Sequence, residues 1–583
     1  MNKKFLLVSA AMLSVCLAAC QDPPKDSESK ETSAPVETSV AASSEESQAD
    51  LTNEDLPLGV TTFTAADGTT KNLNRSSIYK AAGDPHVNSA PEGGKKQKLL
   101  VNPLRFQKDE SDSRDTIVAD DALLTKITKA FTATDEELEP LADAKIYSVK
   151  SFYEQSSFGK GAFDVVVLPC WVDYNGTASQ FKTASGGNGG VYASSYLKTW
   201  YNSEYAKANH GALGADWQYT WKDFDSDEDG FIDLVWNVYA YPYTENSTEF
   251  WWAYVTYTND GPNLASPNVK TLAFASTNFM SKFNGYDTHT LIHETGHTYG
   301  VLDYYDYNNY WKPMGGVDYM DQNLGDHCAF TKFHYGWVNP WVIKEDMLKD
   351  GKVAEITLRT TTLTGDCLVL ASPNYNMTAF DEFMMVELMG PHGLAERDYK
   401  SGYENTKGYT TDGIRITHVD NRMWRGNHDE WISDPNDLGK NGGDVRNSNS
   451  HGGRNSMRAD MDFWPNEDGS PKQYFCQLSL MDSSNVDSAM NWTNTANFTA
   501  NNGTLFTKGQ RFNLSSKTAW AKTFMPSGTN LWNKAKTTTG WQGNNQKFTI
   551  DENCTFNYFL KVKNIVKDPE CGAIATLEIR LDN

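Results

Sequence analysis

Beyond the first twenty residues, no stretch holds the 18 or so consecutive apolar residues of a membrane-spanning helix. Cysteines are few, 8 in 583 residues, and none stands in a CxxC pair, which argues against a thiolate metal site or a thioredoxin-like motif. GxSxG does not occur, so a serine-hydrolase elbow is unsupported. The stretch Gly186-Gly187-Asn188-Gly189-Gly190 lacks the Lys-Ser/Thr of a phosphate-binding loop and reads as a plain loop. Basic residues are outnumbered, 52 against 75 acidic, leaving a net charge of −23. That field repels phosphate backbones and anionic headgroups and argues against nucleic acid as a partner. The apolar fraction is low, 39%, but 12% of the chain is aromatic and 17 residues are Trp, so the expected core is built with large rings. The length leaves room for two to four domains of roughly 100–200 residues each.

Residues 1–20 read as a targeting segment. Lys3 and Lys4 precede an apolar run from Phe5 to Val15, then Leu17-Ala18-Ala19-Cys20. Small residues ahead of a cysteine resemble the bacterial lipobox, which implies acylation of Cys20 and a lipid anchor at the bacterial cell envelope, periplasmic or at the cell surface. Residues 21–55 are rich in Ser and Glu, carry no aromatic side chain, and read as a disordered tether. Residues 56–95 are transitional, an arm or a short pro-segment.

Folding signals start at Lys98-Leu99-Leu100-Val101, a strand, and pass through a helical stretch near 120–154 to the β-branched run Phe163–Leu168. After about residue 345 the pattern turns to short alternating runs, at 354–358, 383–387 and 413–417, separated by Asn, Gly and Asp. The expected fold class is therefore α+β, with a mixed domain over 96–345 and a β-rich, β-sandwich-like region over 346–583. Of the cysteines left after the signal, only Cys554 and Cys571 lie close in sequence, a loose basis for a bridge.

One segment carries chemistry. His293-Glu294-Thr295-Gly296-His297 is HExxH. On a helix, residues four apart share a face, so both imidazoles reach one ion while Glu294 sits beside them as a general base. Two imidazoles and a carboxylate suit zinc and leave a position for water. With this composition, chance supplies H-[DE]-x-x-H roughly 0.03 times; adding Gly300 and Asp303 lowers that to about 2 in 10,000. Gly300 can take positive φ and fold the chain back under the metal, which makes Asp303 the third ligand. The plainer alternative is a turn carboxylate, with the ligand further on at Asp306, Asp318 or Asp321. Asp287 or Thr288 can cap the helix, and Gly296 inside it points to close packing.

The stretch HETGHTYGVLDYYDY, residues 293–307, resembles the active-site segment of the immune inhibitor A family, secreted bacterial zinc metallopeptidases related to the metzincins. The likeness runs over about 95–425 and takes in Ser148–Lys160, Asp225–Asp233 and Gly413–Asp420. It implies a metzincin-like catalytic domain, Zn2+ on His293 and His297, Glu294 as base, and a protein or peptide substrate. Met314, in Lys312-Pro313-Met314-Gly315-Gly316, falls at the Met-turn, its thioether a packing floor below the metal. Metzincins proper carry a third His where Asp303 stands. Tyr319 is the nearest tyrosine that could stabilise an oxyanion; a packed side chain is the simpler reading.

Asp225, Asp227, Asp229, Gly230, the Phe231 carbonyl and Asp233 match positions 1, 3, 5, 6, 7 and 9 of a calcium loop, but position 12 is Trp236 rather than Glu. Ca2+ with a ligand from elsewhere and a solvated aspartate turn are the two readings. His327 and His334, seven apart, read as a helix-face pair without a role. A rival from another class is a surface adhesin or glycan-binding lipoprotein with an inert protease-like domain.

Overall fold

The computed structural model describes residues 49–64, 67–73, 96–142, 144–244, 249–300, 303–304, 314–321, 323–372, 374–401, 408–421, 423–425, 430–432, 445–447, 478–481, 483, 500–513, 537–539, 547–549 and 556–582. Cys20, Asp306, Cys476 and Cys554 lie outside them. The fold is α+β, built on several sheets.

The first sheet is assembled from β1 (Lys98–Arg105), β2 (Asp164–Val167), β3 (Val172–Asp173), β4 (Leu234–Tyr239), β5 (Tyr254–Tyr257) and β6 (Thr271–Ser276). Its order is β2-β1-β4-β6-β5, with β3 also on β1. All pairs are parallel except β6 with the edge strand β5. Successive side chains of a strand point to opposite faces, and here both faces are covered. Leu99, Val101, Leu234, Trp236 and Val238 share one buried cluster with α1 (Asp121–Thr132) and α2 (Val149–Ser156), while Leu100, Val235 and Leu272 share another with α3 (Gly189–Tyr205). At the sheet's centre, Asn102 donates to Asn237, which donates to Ser194 on α3, so a chain of buried side-chain hydrogen bonds ties the sheet to this helix.

The Gly-rich stretch departs from expectation. Gly189 and Gly190 open α3, capped by the Asn188 side chain on Val191 N–H. A Cβ on Gly189 would lie 2.8 Å from Phe274, and one on Gly190 2.5 Å from Leu272. The glycines let this helix end press on the sheet, and that requirement outweighs their poor helix propensity.

Beyond α4 (His289–His297) and α5 (Ala329–His334), two further sheets follow. One holds β7 (Trp341–Ile343), β9 (Cys367–Ala371), β10 (Glu382–Met389), β11 (Gly413–Asp420) and β12 (Leu478–Met481); the other holds β8 (Ala354–Arg359), β13 (Arg511–Phe512), β14 (Tyr558–Asp568) and β15 (Gly572–Leu581). Leu368, Leu370, Met384, Val386, Ile414 and Ile416 form one core with Ile356, Leu358, Leu560 and Leu577 of the second sheet. The opposite face, Cys367, Val369, Phe383, Met385 and Val419, belongs to the cluster that also buries α4. One sheet thus serves two cores, and buried side chains run continuously across position 345.

The described residues reach into the expected tether. Asp50 and Leu51 N–H groups donate to Val353 O, Leu51 bridges Ala354, Gly59 N–H donates to Pro340 O, and Leu56 is buried in the core between the two sheets. Leu51 and Leu56 supply the apolar anchor that the Ser/Glu composition hides. Cys170, Cys328, Cys367 and Cys571 carry free thiols.

Candidate metal centre

Helix α4 is held by contacts from remote parts of the chain. Asp287 caps it by accepting His289 N–H at 3.0 Å, and Thr288 donates its hydroxyl to Tyr147 O at 2.7 Å. Tyr153 donates to Ile292 O at 2.8 Å, Tyr335 to Gly296 O at 3.0 Å, and Trp236 Nε1 to the Thr295 hydroxyl at 2.9 Å. A Cβ on Gly296 would meet Met320 Sδ at 2.5 Å and the Tyr153 hydroxyl at 3.2 Å, so the glycine admits close packing. Met314 is fully buried in the same cluster, whereas the thioether against α4 at Gly296 belongs to Met320.

The helix ends in a turn, with Gly300 N–H on His297 O at 2.9 Å and Gly300 at φ +85°. A side chain would strain that backbone. Asp303 returns to the helix with its Oδ1 2.8 Å from His293 Nε2 and 3.4 Å from His297 Nε2. The three residues offer donor atoms that all lie within 4.8 Å of one another. For bonds of about 2.0–2.2 Å, a tetrahedral zinc site has ligand edges of roughly 3.3 Å, and the two distances to Asp303 straddle that value.

The tautomer supports the same fit. His293 Nδ1 lies 2.8 Å from the Tyr319 carbonyl oxygen, which can only accept, so Nδ1 carries a proton. In the neutral ring, Nε2 then presents a lone pair to a carboxylate oxygen at 2.8 Å. Two acceptors at that separation need a positive charge between them, either a second ring proton or a cation. The donor set therefore fits a divalent metal.

Burial and charge act together at the site. Burial pushes the Glu294 carboxyl up, opposed by the His297 and His293 rings. Burial would raise Asp303 as well, but the His297 charge and hydrogen bonds from both rings hold it well below the usual carboxylate range. For His293, burial lowers basicity, yet the Asp303 hydrogen bond and charge raise it overall.

The alternatives for the third ligand point elsewhere among the described residues. Asp318 accepts from Cys328 N–H and the Thr331 hydroxyl and faces His327; Asp321 accepts Gly316 N–H. His327 precedes α5, His334 ends it next to the Asn421 amide, and both are buried. Tyr319 is fully buried, its ring packed between Phe152 and His289. Its carbonyl, not its hydroxyl, serves the site, and nothing in a residue-type pattern signals a main-chain role.

The aspartate turn is assembled in part. Asp225, Asp227 and Asp229 converge closely enough to hold an ion, and Phe231 starts a two-residue strand paired with Asn268. Asp233 does not join them: its carboxylate accepts Lys98 N–H at 2.6 Å and Ser226 N–H at 2.9 Å. The backbone at the start of β1 claims this carboxylate, and burial pushes it up to about 6. Among known proteins, no family model matches the chain and no curated sequence does.

Proposed function

We propose that this chain is a zinc-dependent endopeptidase with a metzincin-like catalytic domain, exported and lipid-anchored through Cys20 at a bacterial cell envelope, acting on protein or peptide substrates. The observation that carries the reading is the convergence of His293 Nε2, His297 Nε2 and Asp303 Oδ1 beside Glu294. The resemblance of residues 293–307 to the immune inhibitor A family supports it, and Ca2+ on Asp225, Asp227 and Asp229 extends it.

His293, His297 and Asp303 would hold a Zn2+, which when bound would supply Lewis acidity for the scissile carbonyl and lower the pKa of a water to about 7. The remaining steps belong to the chain. The Tyr319 carbonyl fixes the His293 ring with its Nε2 lone pair toward the centre. Glu294 takes the proton of the water as its oxygen attacks the carbonyl carbon, then delivers that proton to the amine as the C–N bond breaks. The burial that raises Glu294 suits a group that must both take and return a proton.

Purified protein is expected to cleave casein, to lose that activity to a chelator and to regain it with Zn2+. Glu294→Gln should keep the metal and lose activity by about 100-fold or more. Absent cleavage would overturn the reading in favour of an adhesin or glycan-binding lipoprotein with an inert protease-like domain, whereas chelator-insensitive cleavage, or full activity of Glu294→Gln, would overturn the metal-dependent mechanism and the role of Glu294.

A further inference from the structure

Asp318 has no exposed surface and gathers four groups onto one carboxylate. Its Oδ1 accepts Met320 N–H at 2.7 Å and faces His327 Nδ1 at 3.3 Å; its Oδ2 accepts Cys328 N–H at 2.7 Å and the Thr331 hydroxyl at 2.8 Å. Asp321 N–H closes the turn on Asp318 O at 2.8 Å. One side chain thus shapes the turn over residues 318–321 and fastens it to the start of α5. Hydrogen bonds to an ionised acceptor, away from water, are the strong ones.

Two of the three ligand residues of the candidate centre are tied to this turn. Tyr319, between Asp318 and the Met320 N–H that it accepts, presents its carbonyl to His293 Nδ1 at 2.8 Å. Met320 O accepts Tyr304 N–H at 2.7 Å, and Tyr304 directly follows Asp303. The Tyr304 hydroxyl lies 2.9 Å from Thr331 Oγ1. The one hydroxyl proton of Thr331 goes to Asp318, so in this pair Tyr304 is the donor. Tyr304 is therefore held by its main chain to the turn and by its side chain, through Thr331, to the same Asp318 carboxylate. Tyr304, Thr331 and Asp318 are all fully buried.

Resting on the zinc-site reading, we propose that Asp318 is a positioning residue for the metal centre: through the Tyr319 carbonyl it sets the His293 ring, and through Thr331 and Tyr304 it sets Asp303. Its own oxygens are committed to the turn and to α5, so it acts through these residues and is not a ligand. Ligands fixed before the ion arrives lose less freedom on binding it, which raises affinity without adding a contact to the metal. An amide at this position can accept on one side only, so Asp318→Asn gives up one of the two arms.

The test uses the full chain, with Zn2+ affinity read by chelator competition and site geometry read from the visible bands of Co2+ bound in place of Zn2+. Asp318→Asn should weaken Zn2+ binding by about 10- to 100-fold and Tyr304→Phe by about 3- to 10-fold, both with altered Co2+ bands at saturation. The control is Tyr558→Phe, which removes a buried hydroxyl that donates to Ile343 O and Ala371 O in the core between the two C-terminal sheets. It should match wild type in affinity and bands. Wild-type affinity and bands in Asp318→Asn and Tyr304→Phe overturn the inference, as does an equal loss in Tyr558→Phe, which would make the effect one of general stability. If Asp318→Asn does not fold, Tyr304→Phe against Tyr558→Phe decides. Wild type that binds Zn2+ but cleaves no peptide removes the endopeptidase reading and leaves the inference standing; wild type that binds no Zn2+ removes both.

Discussion

His293 Nδ1 lies 2.8 Å from the carbonyl oxygen of Tyr319, a contact across 26 residues of chain. It links the helix that carries HExxH to the segment that follows Met314. That segment is braced in turn by Arg415, which donates to Val317 O from the C-terminal region. The ring orientation at the candidate centre therefore depends on strands well outside the motif. A metal ligand held by such an outer contact is better oriented than the ligand pattern alone provides.

Metal content tests the ligand set directly. Wild type is expected to hold one Zn2+ per chain at the centre, and His297→Ala or Asp303→Ala to lower zinc stoichiometry at equal protein concentration, read by elemental analysis after dialysis. Outer ligands typically change affinity by about 10- to 100-fold, and a direct ligand should exceed that. Undiminished zinc in Asp303→Ala would move the third ligand to another carboxylate.

Gly296→Ala separates helix propensity from packing. In an exposed helix the change would stabilise by about 1 kcal/mol. Here the new methyl meets Met320 Sδ and the Tyr153 hydroxyl, so a net loss of about 1–3 kcal/mol is expected in urea unfolding. Met320→Ala in the same chain should recover part of that loss, a coupling expected only if the two residues touch. A stabilised single variant would show that α4 has room to spare.

Asp318 supplies a pH signature. Burial would raise its carboxyl, but the His327 hydrogen bond and charge, with the N–H groups of Cys328 and Met320, bring it down to about 2. A carboxylate with a lower pKa in the folded than in the unfolded chain stabilises the fold above the unfolded value. That contribution fades as pH falls from about 4 towards 2. The shift corresponds to about 2 kcal/mol at neutral pH. Asp318→Asn should be less stable than wild type at pH 7, with the gap closing as pH falls through that window. A gap that stays constant with pH would remove the electrostatic account.

Much of the candidate centre was legible because its parts are local. His293, Glu294, His297, Gly300 and Asp303 fall within eleven residues, and helix periodicity followed by one positive-φ glycine brings them together without help from distant chain. The Asp225–Asp233 turn was read in part by the same local logic. It failed at Asp233, where Lys98 N–H, 135 residues away, claims the carboxylate. The opening of α3 failed for a related reason: Gly189 and Gly190 look like loop residues until Phe274 and Leu272 are seen pressing on them.

Sequence alone determined the donor types, their spacing and the alternation that splits β10 into two apolar faces, because each depends on backbone geometry over a few residues. Only the folded chain decided which carboxylate meets the imidazoles, which carbonyl orients His293, and that the buried Arg415 finds its acceptors in Glu387 and the Val317 carbonyl. Those outcomes depend on which groups exclude water from one another, and that is set by contacts between residues far apart in the chain.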